Sequence, residues 1–282
     1  MIRIEREEEI FPDKLKNVNP RIEKIYVEGN KENLNEFGIA IVGSRNSSKE
    51  GEKITREFTK KLVEMGINII SGLAVGIDAV AHETCIENGG KTIAVIGSGL
   101  NKIYPKENYN LYKKILENGG TVVTEYSENT SPSSQNFPLR NRIISGLSEG
   151  IIVVEGKYRS GTIITGRYGL NQGKAVFCIP HGLSNAYGTG PNGLIKKGAK
   201  LVTTVKEITQ YFEKMGIKFE ENQNKRKYDN EILKLLEKEI LTKEEIAKRL
   251  NKNISEINQQ ITILELEEII TEDYGKGYRI IE

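Results

Sequence analysis

The chain has few of the residues on which much enzyme chemistry depends. Among its 282 residues are two cysteines, Cys85 and Cys178, and two histidines, His82 and His181. Two cysteines without paired spacing make no disulfide framework and point to a reducing compartment. His82 and Cys85 lie one helical turn apart, but a third ligand is missing, so the spacing gives no zinc site. A hydrolase needs a nucleophile with a base, and these four residues offer only a Cys/His dyad between distant segments. No apolar run approaches a membrane span, and the opening "MIRIEREEEI" is too acidic and broken for a signal peptide. The expectation is a cytoplasmic α/β protein with neither a metal nor a catalytic centre.

Nucleotide-cofactor signatures are missing as well. The stretch "IAIVGSRNSSKEG", Ile39 to Gly51, turns from an apolar strand into a helix but lacks G-x-G-x-x-G. No acidic residue ends the following strand, "INIISG", where a ribose would need one. "GSGLNK" at Gly97 fails at its third glycine, "GTGPNG" at Gly188 follows a loop rather than a strand, and no Walker G-K-[ST] occurs. No cofactor is expected.

Charge is nearly balanced overall, with 41 Lys/Arg against 39 Asp/Glu. It is not evenly spread. Residues 229–282 hold 8 basic and 13 acidic groups, a net of −5, whereas residues 38–228 carry a net of +9. A basic middle and an acidic tail suggest separate tasks.

What the sequence does have is a repeated order of strand, turn and helix. The runs "IAIVG", "INIIS", "KTIAVIG", "TVVTEY", "IIVVEG" and "KAVFCIP" are apolar without alternation, as parallel strands covered on both faces must be. Between them lie helical patterns such as Ile54, Phe58 and Leu62, closed by Gly66. A further unit, "AKLVT", leads to a helix opened by Thr204 with Glu207 as its capping-box partner. This order predicts an α/β fold, an extended Rossmann-like, doubly wound and mostly parallel sheet. We place a lead-in segment at 1–37, the Rossmann-like domain at 38–214, and a linker at 215–228, which has no apolar period. Residues 229–282 then read as three short helices and a hairpin around Gly275 and Gly277, a small winged-helix domain.

The strand-to-helix turns supply the candidate site. Ser47 and Glu50 form a capping-box pattern, so the first helix begins at Ser47 or Ser48, which leaves Gly43, Ser44, Arg45 and Asn46 in the first loop. Free amides, the helix dipole and the Arg45 fork would favour an anion there. A nucleotide, a phosphorylated substrate and a nucleic-acid backbone all satisfy that description. "SGLAVGIDAVAHE" follows the second strand, with Gly72 in its turn and Asp78 as a cap for the helix carrying His82. "NFPLRNRIISGLS" brings Phe137, Arg140, Asn141 and Arg142 together, and "RSGTIITG" opens a helix with Ser160, Gly161 and Thr162. If all face the carboxyl edge of the sheet, phosphate-grade donors with one aromatic line a groove. Cations tracking a backbone while a ring accepts a base suit a single strand. Each residue also has a local reading; Arg142, for one, could simply pair with an acid.

These stretches, with "GGKTIAVIGSGLNKIYP" and "GPNGLIKKGAKLV", occur in the order and spacing of the DNA-processing protein A family, also called DprA or Smf, which residues 11–213 resemble. The resemblance implies a homodimeric Rossmann-like protein that binds single-stranded DNA and delivers it to the RecA recombinase, notably in natural transformation and homologous recombination. It assigns DNA-pocket roles to Arg45, Phe137 and the Ser160–Gly161–Thr162 turn, and adds Lys174. Two departures stand out: Val75 where members commonly have lysine, and "PHG" after the sixth strand, which places His181 near the groove. The lead-in begins near Phe11, leaving no room for the extra amino-terminal helical domain many members carry. The competing enzyme class, phosphoribohydrolases of the lysine-decarboxylase-like type, needs "PGGxGTxxE", and "YRSGTIITG" lacks its glycine pair and glutamate.

The tail's third helix, "SEINQQITILELEE", has no Lys or Arg. Phosphate contact dominates DNA affinity, so this helix is expected to meet protein, RecA or a second subunit, rather than duplex, the alternative being an acidic cover for the basic groove.

Overall fold

Six consecutive apolar runs become strands because helices cover them on both faces. In the computed structural model, which describes residues 1–219, 231–266, 269–273 and 275–281, these are β3 (Gly38–Val42), β4 (Asn68–Ser71), β5 (Thr92–Val95), β6 (Thr121–Thr124), β7 (Gly150–Val153) and β8 (Ala175–Cys178), every residue of them buried. Alternate side chains serve opposite layers. Ile39 and Ile41 pack with Phe58, Leu62 and Phe212, while Ala40 and Val42 pack with Ile143, Leu147 and Ile163. The helices of the first layer include α2 (Lys49–Glu64), α3 (Ile77–Glu87) and α8 (Val205–Glu213); the second includes α5 (Asn136–Leu147) and α6 (Gly161–Asn171). The Thr204–Glu207 capping box starts α8 as the sequence indicates.

Two further strands escape the apolar-run criterion. β1 (Ile2–Glu5) and β2 (Lys24–Gly29) come from the lead-in and extend the same sheet, β2 pairing antiparallel with β6. With β9 (Lys200–Leu201) the order is β1-β2-β6-β5-β4-β3-β7-β8-β9. From β3 the chain winds outward through β4, β5 and β6, then returns to β7 on the other side of β3. The reversal point, between β3 and β7, is where open α/β sheets leave a crevice at the carboxyl ends of their strands. The lead-in is bonded to the core: Lys14 lies 2.7 Å from Glu149, whose other oxygen accepts from the Gly38 amide at 3.1 Å.

The chain divides into two compact units, Met1–Glu221 and Asn222–Glu282. Of the expected linker, residues 220–228 lie outside the described ones. Residues 217–219 do not run free, for Phe219 packs edge-on against Phe37 and Phe212 in the first unit. The second unit has α9 (Glu231–Leu236), α10 (Lys243–Leu250), α11 (Ile254–Leu266) and a hairpin of β10 (Ile270–Asp273) and β11 (Gly277–Ile280). Ile257, Ile261 and Leu264 share one buried face with Ile232, Ile246 and Tyr278, the packing of a winged helix. Gly277 has φ +121° and lies against the Leu241 backbone, where a side chain would collide. That approach lets Tyr278 and Leu241 exchange backbone hydrogen bonds. No helix among the described residues is long and apolar enough to cross a membrane.

Candidate nucleic-acid interface

A groove of about 840 Å³ opens over the β3/β7 reversal. Its lining includes Gly43, Ser44, Arg45 and Asn46 after β3, Tyr104 after β5, Phe137, Arg140 and Asn141 from α5, Ser160, Gly161 and Thr162 at the start of α6, and Tyr187. Five strand-end segments far apart in sequence thus meet where the topology predicts a ligand.

Of the two helix starts open in the sequence, the later is realised: Ser48 caps α2, accepting from the Gly51 amide, and Ser47 donates to Glu52 at 2.6 Å. The α2 amino end already holds an anion, the buried Glu155 carboxylate, which accepts from the Ser48 amide at 2.9 Å and the Ser48 hydroxyl at 2.6 Å. A phosphate is therefore not seated on the α2 terminus. The loop bearing Arg45 is held from below. Gly76, at φ +83°, lies so close to the Ser44 and Arg45 carbonyls that any side chain would run into them, and the Ile77 amide donates to Ser44 O. Arg45 remains exposed.

Beneath the loop, Asp78 and Arg140 form a buried hub. Asp78 is not the cap of its own helix, whose N-cap is Gly76. Its carboxylate accepts from the Gly72 amide at 3.1 Å and from backbone at Gly43 and Ala74, joining the turns after β3 and β4. Burial pushes this carboxyl above its ordinary range, while Arg140 and the three amides pull it back. Arg140 donates to the carbonyls of Gly72 (2.6 Å) and Val95, and to Asn141 Oδ1. Burial brings its pKa down to about 10, so it stays charged at neutral pH. Gly72 serves this hub, since a Cβ would sit 2.7 Å from Asp78 Oδ2 and 2.8 Å from Arg140 Nη2. Arg140, 4% exposed, and Gly72, whose amide is bonded to Asp78, support the groove from behind.

The unfilled helix end belongs to α6. Its N-cap, Ser160, makes no side-chain capping bond, and the Ser160 hydroxyl is buried without a partner among the described residues. The Ile163 amide donates to Ser160 O, while the Gly161 and Thr162 amides precede the first intrahelical bond and carry the positive end of the dipole, so this end suits a phosphate. Thr162 donates its hydroxyl to Gly43 O at 2.8 Å and Asn141 donates to Gly161 O at 3.1 Å, fixing the α6 start against the β3 loop and α5.

Aromatic rings complete the surface. The Arg45 guanidinium carbon lies 5.4 Å from the Phe137 centroid, and Tyr104 lies 5.5 Å from Phe137 with 35° between planes. Across the groove, the Tyr187 hydroxyl accepts from Asn46 Nδ2 at 3.1 Å. The sequence reading passed over both tyrosines. Tyr104 stood within the quoted "GLNKIYP"; Tyr187 carried no local signal.

Two residues grouped with the site are elsewhere. Arg142 is 3% exposed, grips Glu125 through two bonds of 2.9 and 2.6 Å, and donates to Pro20 O, so it joins the lead-in to the core. The acid pairing open in the sequence is the one realised. Lys174 precedes β8 at the amino edge of the sheet, opposite the groove, near Glu149 and Lys14. Val75 borders a side cavity of about 60 Å³ with Arg45, Tyr104 and Phe137. His181 hydrogen-bonds Val154 O at 2.8 Å and Asn185 at 3.3 Å, bracing the loop that presents Tyr187. His82 is wholly buried against Thr92, and burial lowers its pKa to about 3; burial raises the Cys178 thiol to about 12. No cluster of three or more His, Cys, Asp or Glu suited to a metal occurs among the described residues.

Comparison with known proteins agrees with this architecture. The family model for DNA recombination-mediator protein A matches residues 3–213. Protein Smf of Escherichia coli is 44% identical over 207 residues, covering 73% of this chain and 55% of its own length. The X-ray structure of DNA processing protein A from Streptococcus pneumoniae superposes with a TM-score of 0.70 at 38% identity, covering 78% of this chain and 74% of that one. DNA processing protein A from Helicobacter pylori, whose structure was described for its single-stranded DNA binding mode, gives 0.67 at 26% identity, covering 75% and 96%. The chain spans between 55% and 66% of the length of three curated relatives. With three quarters of its sequence matched and the same α/β architecture, the chain belongs to the DNA recombination-mediator protein A family.

Proposed function

We propose that this protein is a single-stranded DNA-binding recombination mediator of the cytoplasm, holding the strand in the groove over the β3/β7 reversal. One observation carries the reading: the α6 terminus, exposed Arg45 and the rings of Tyr104, Phe137 and Tyr187 share one groove. Amides and a guanidinium fit successive phosphates, and rings fit unpaired bases. The Helicobacter pylori relative, named for its binding of single-stranded DNA, supports the same ligand. In this reading the bound strand passes to a RecA-type recombinase, with the protein acting as a homodimer and catalysing no reaction itself.

The test is oligo-dT affinity against a duplex of equal length across a salt series. Arg45→Ala should weaken oligo-dT by about 1.5–3 kcal/mol, the range for charged hydrogen bonds, and lower the salt slope by about 0.7. Equal affinity for duplex, or no effect of Arg45→Ala in a folded protein, would overturn the assignment. Thermal protection by adenosine monophosphate but not oligo-dT would favour a nucleotide-processing enzyme instead.

A further inference from the structure

Phe137 is the aromatic residue the sequence points to, yet its surroundings are already filled. Arg45 lies over it at 5.4 Å, Tyr104 leans on it at 5.5 Å, and Gly97 packs so closely that a Cβ there would sit 2.9 Å from its ring. Ring centroids 5.5 Å apart leave no layer for a base between Tyr104 and Phe137. The side cavity next to both rings, about 60 Å³, holds no more than a couple of waters. Tyr104 is different. It is 43% exposed, lines the groove, and has only Phe137 as a ring partner among the described residues. Its segment is fastened at both ends: the Lys102 amide donates to Gly99 O at 2.9 Å, and Asn108 donates to Leu73 O at 2.9 Å. A fixed ring with a free face loses little conformational freedom when a flat ligand lands on it.

We propose that Tyr104 is a base-stacking residue of this groove, with Phe137 and Arg45 as the layers behind it. The inference rests on the single-stranded DNA reading and extends it. A nucleotide of the bound strand lays its base on the outer face of Tyr104, and Phe137 keeps that ring at its angle. Every base has a π-face, so the contact is indifferent to sequence and closed to paired bases.

The experiment uses the full chain, a fluorescent oligo-dT and an abasic oligomer of the same length. Tyr104→Ala should weaken oligo-dT roughly five- to hundredfold and leave the abasic oligomer unchanged. Tyr104→Phe, which keeps the ring, should restore oligo-dT binding. Unchanged oligo-dT affinity in Tyr104→Ala, or equal weakening of both oligomers, would overturn the proposal. Arg45→Ala separates the two levels of the argument: if it still weakens both oligomers, the DNA groove stands and only the role of Tyr104 falls. A wild-type protein that fails to prefer oligo-dT over duplex removes both.

Discussion

The buried hub under the groove gives a quantitative expectation for Asp78→Ala. The carboxylate is 7% exposed and serves the amides of Gly43, Gly72 and Ala74. Leaving a buried donor unpaired costs about 1–3 kcal/mol each where water cannot reach it, and the neighbouring groove will hydrate some of the three. Arg140 would keep its carbonyl partners at Gly72 and Val95 but lose the adjacent negative charge. Removing one member of a buried opposite-charge pair typically costs about 3–5 kcal/mol. We therefore expect a loss of about 3–5 kcal/mol, a large part of the 5–15 kcal/mol typical of a folded domain. Asp78→Asn keeps an acceptor but drops the charge and should lose less, about 1.5–3 kcal/mol. Urea unfolding followed by far-ultraviolet circular dichroism reads the stability, and oligo-dT binding of the still-folded protein reads the loop geometry. Because Gly43 opens the Arg45 loop, both should fall together. An unfolding free energy within about 1 kcal/mol of wild type, or full oligo-dT affinity in a destabilised Asp78→Ala, would show that the hub does not position the loop.

Three further outcomes follow from the same contacts. His82 has its pKa lowered from 6.5 to about 3 by burial and by the charge of Arg140; the unfolded chain thus binds its proton first, and stability should fall as pH drops through that window, by up to about 1.4 kcal/mol per unit. His82→Gln, compared by urea titration at pH 7 and pH 5, should flatten that dependence. Arg142→Ala should destabilise the fold by about 3–5 kcal/mol while the folded fraction keeps its oligo-dT affinity, and Lys174→Ala should leave that affinity unchanged; anisotropy titrations giving the opposite would return these residues to the groove. A chain ended at residue 219 should bind oligo-dT at least as well as the full chain at low salt, because residues 229–282 carry a net charge of −5, and gel-shift titration decides it.

Legibility in the sequence followed burial. β3 to β8 stood out because residues covered from both sides admit no polar alternation. β1 and β2 did not, since "IRIE" and "KIYVEG" mix charge with apolar residues, as strands toward a sheet edge do. The site was legible where a glycine or serine marks a strand-to-helix turn, at Gly43 and Ser160, and opaque where long-range pairing decides. Glu155 lies 107 residues from the Ser48 it caps, and nothing in "IIVVEG" announces that partner. Arg45 and Arg142 are the same residue type in similar company. One faces the groove and the other is spent on Glu125 because loop exit and helix phase point them differently.

The reversal of strand order also sets a timetable for biosynthesis. β3, with Gly43 and Arg45 at its end, waits for β7, whose Gly150 pairs with Ile39, and the groove lining closes only at Tyr187. At about 5–20 residues per second of translation, the Arg45 loop spends roughly seven to thirty seconds on a nascent chain whose opposite wall is incomplete. For most of that interval β3 lacks its β7 neighbour, and the α6 start has not yet been made. The groove is therefore completed late, after synthesis has passed the last of its walls, and a nascent chain that has not reached Tyr187 carries the loop without the groove.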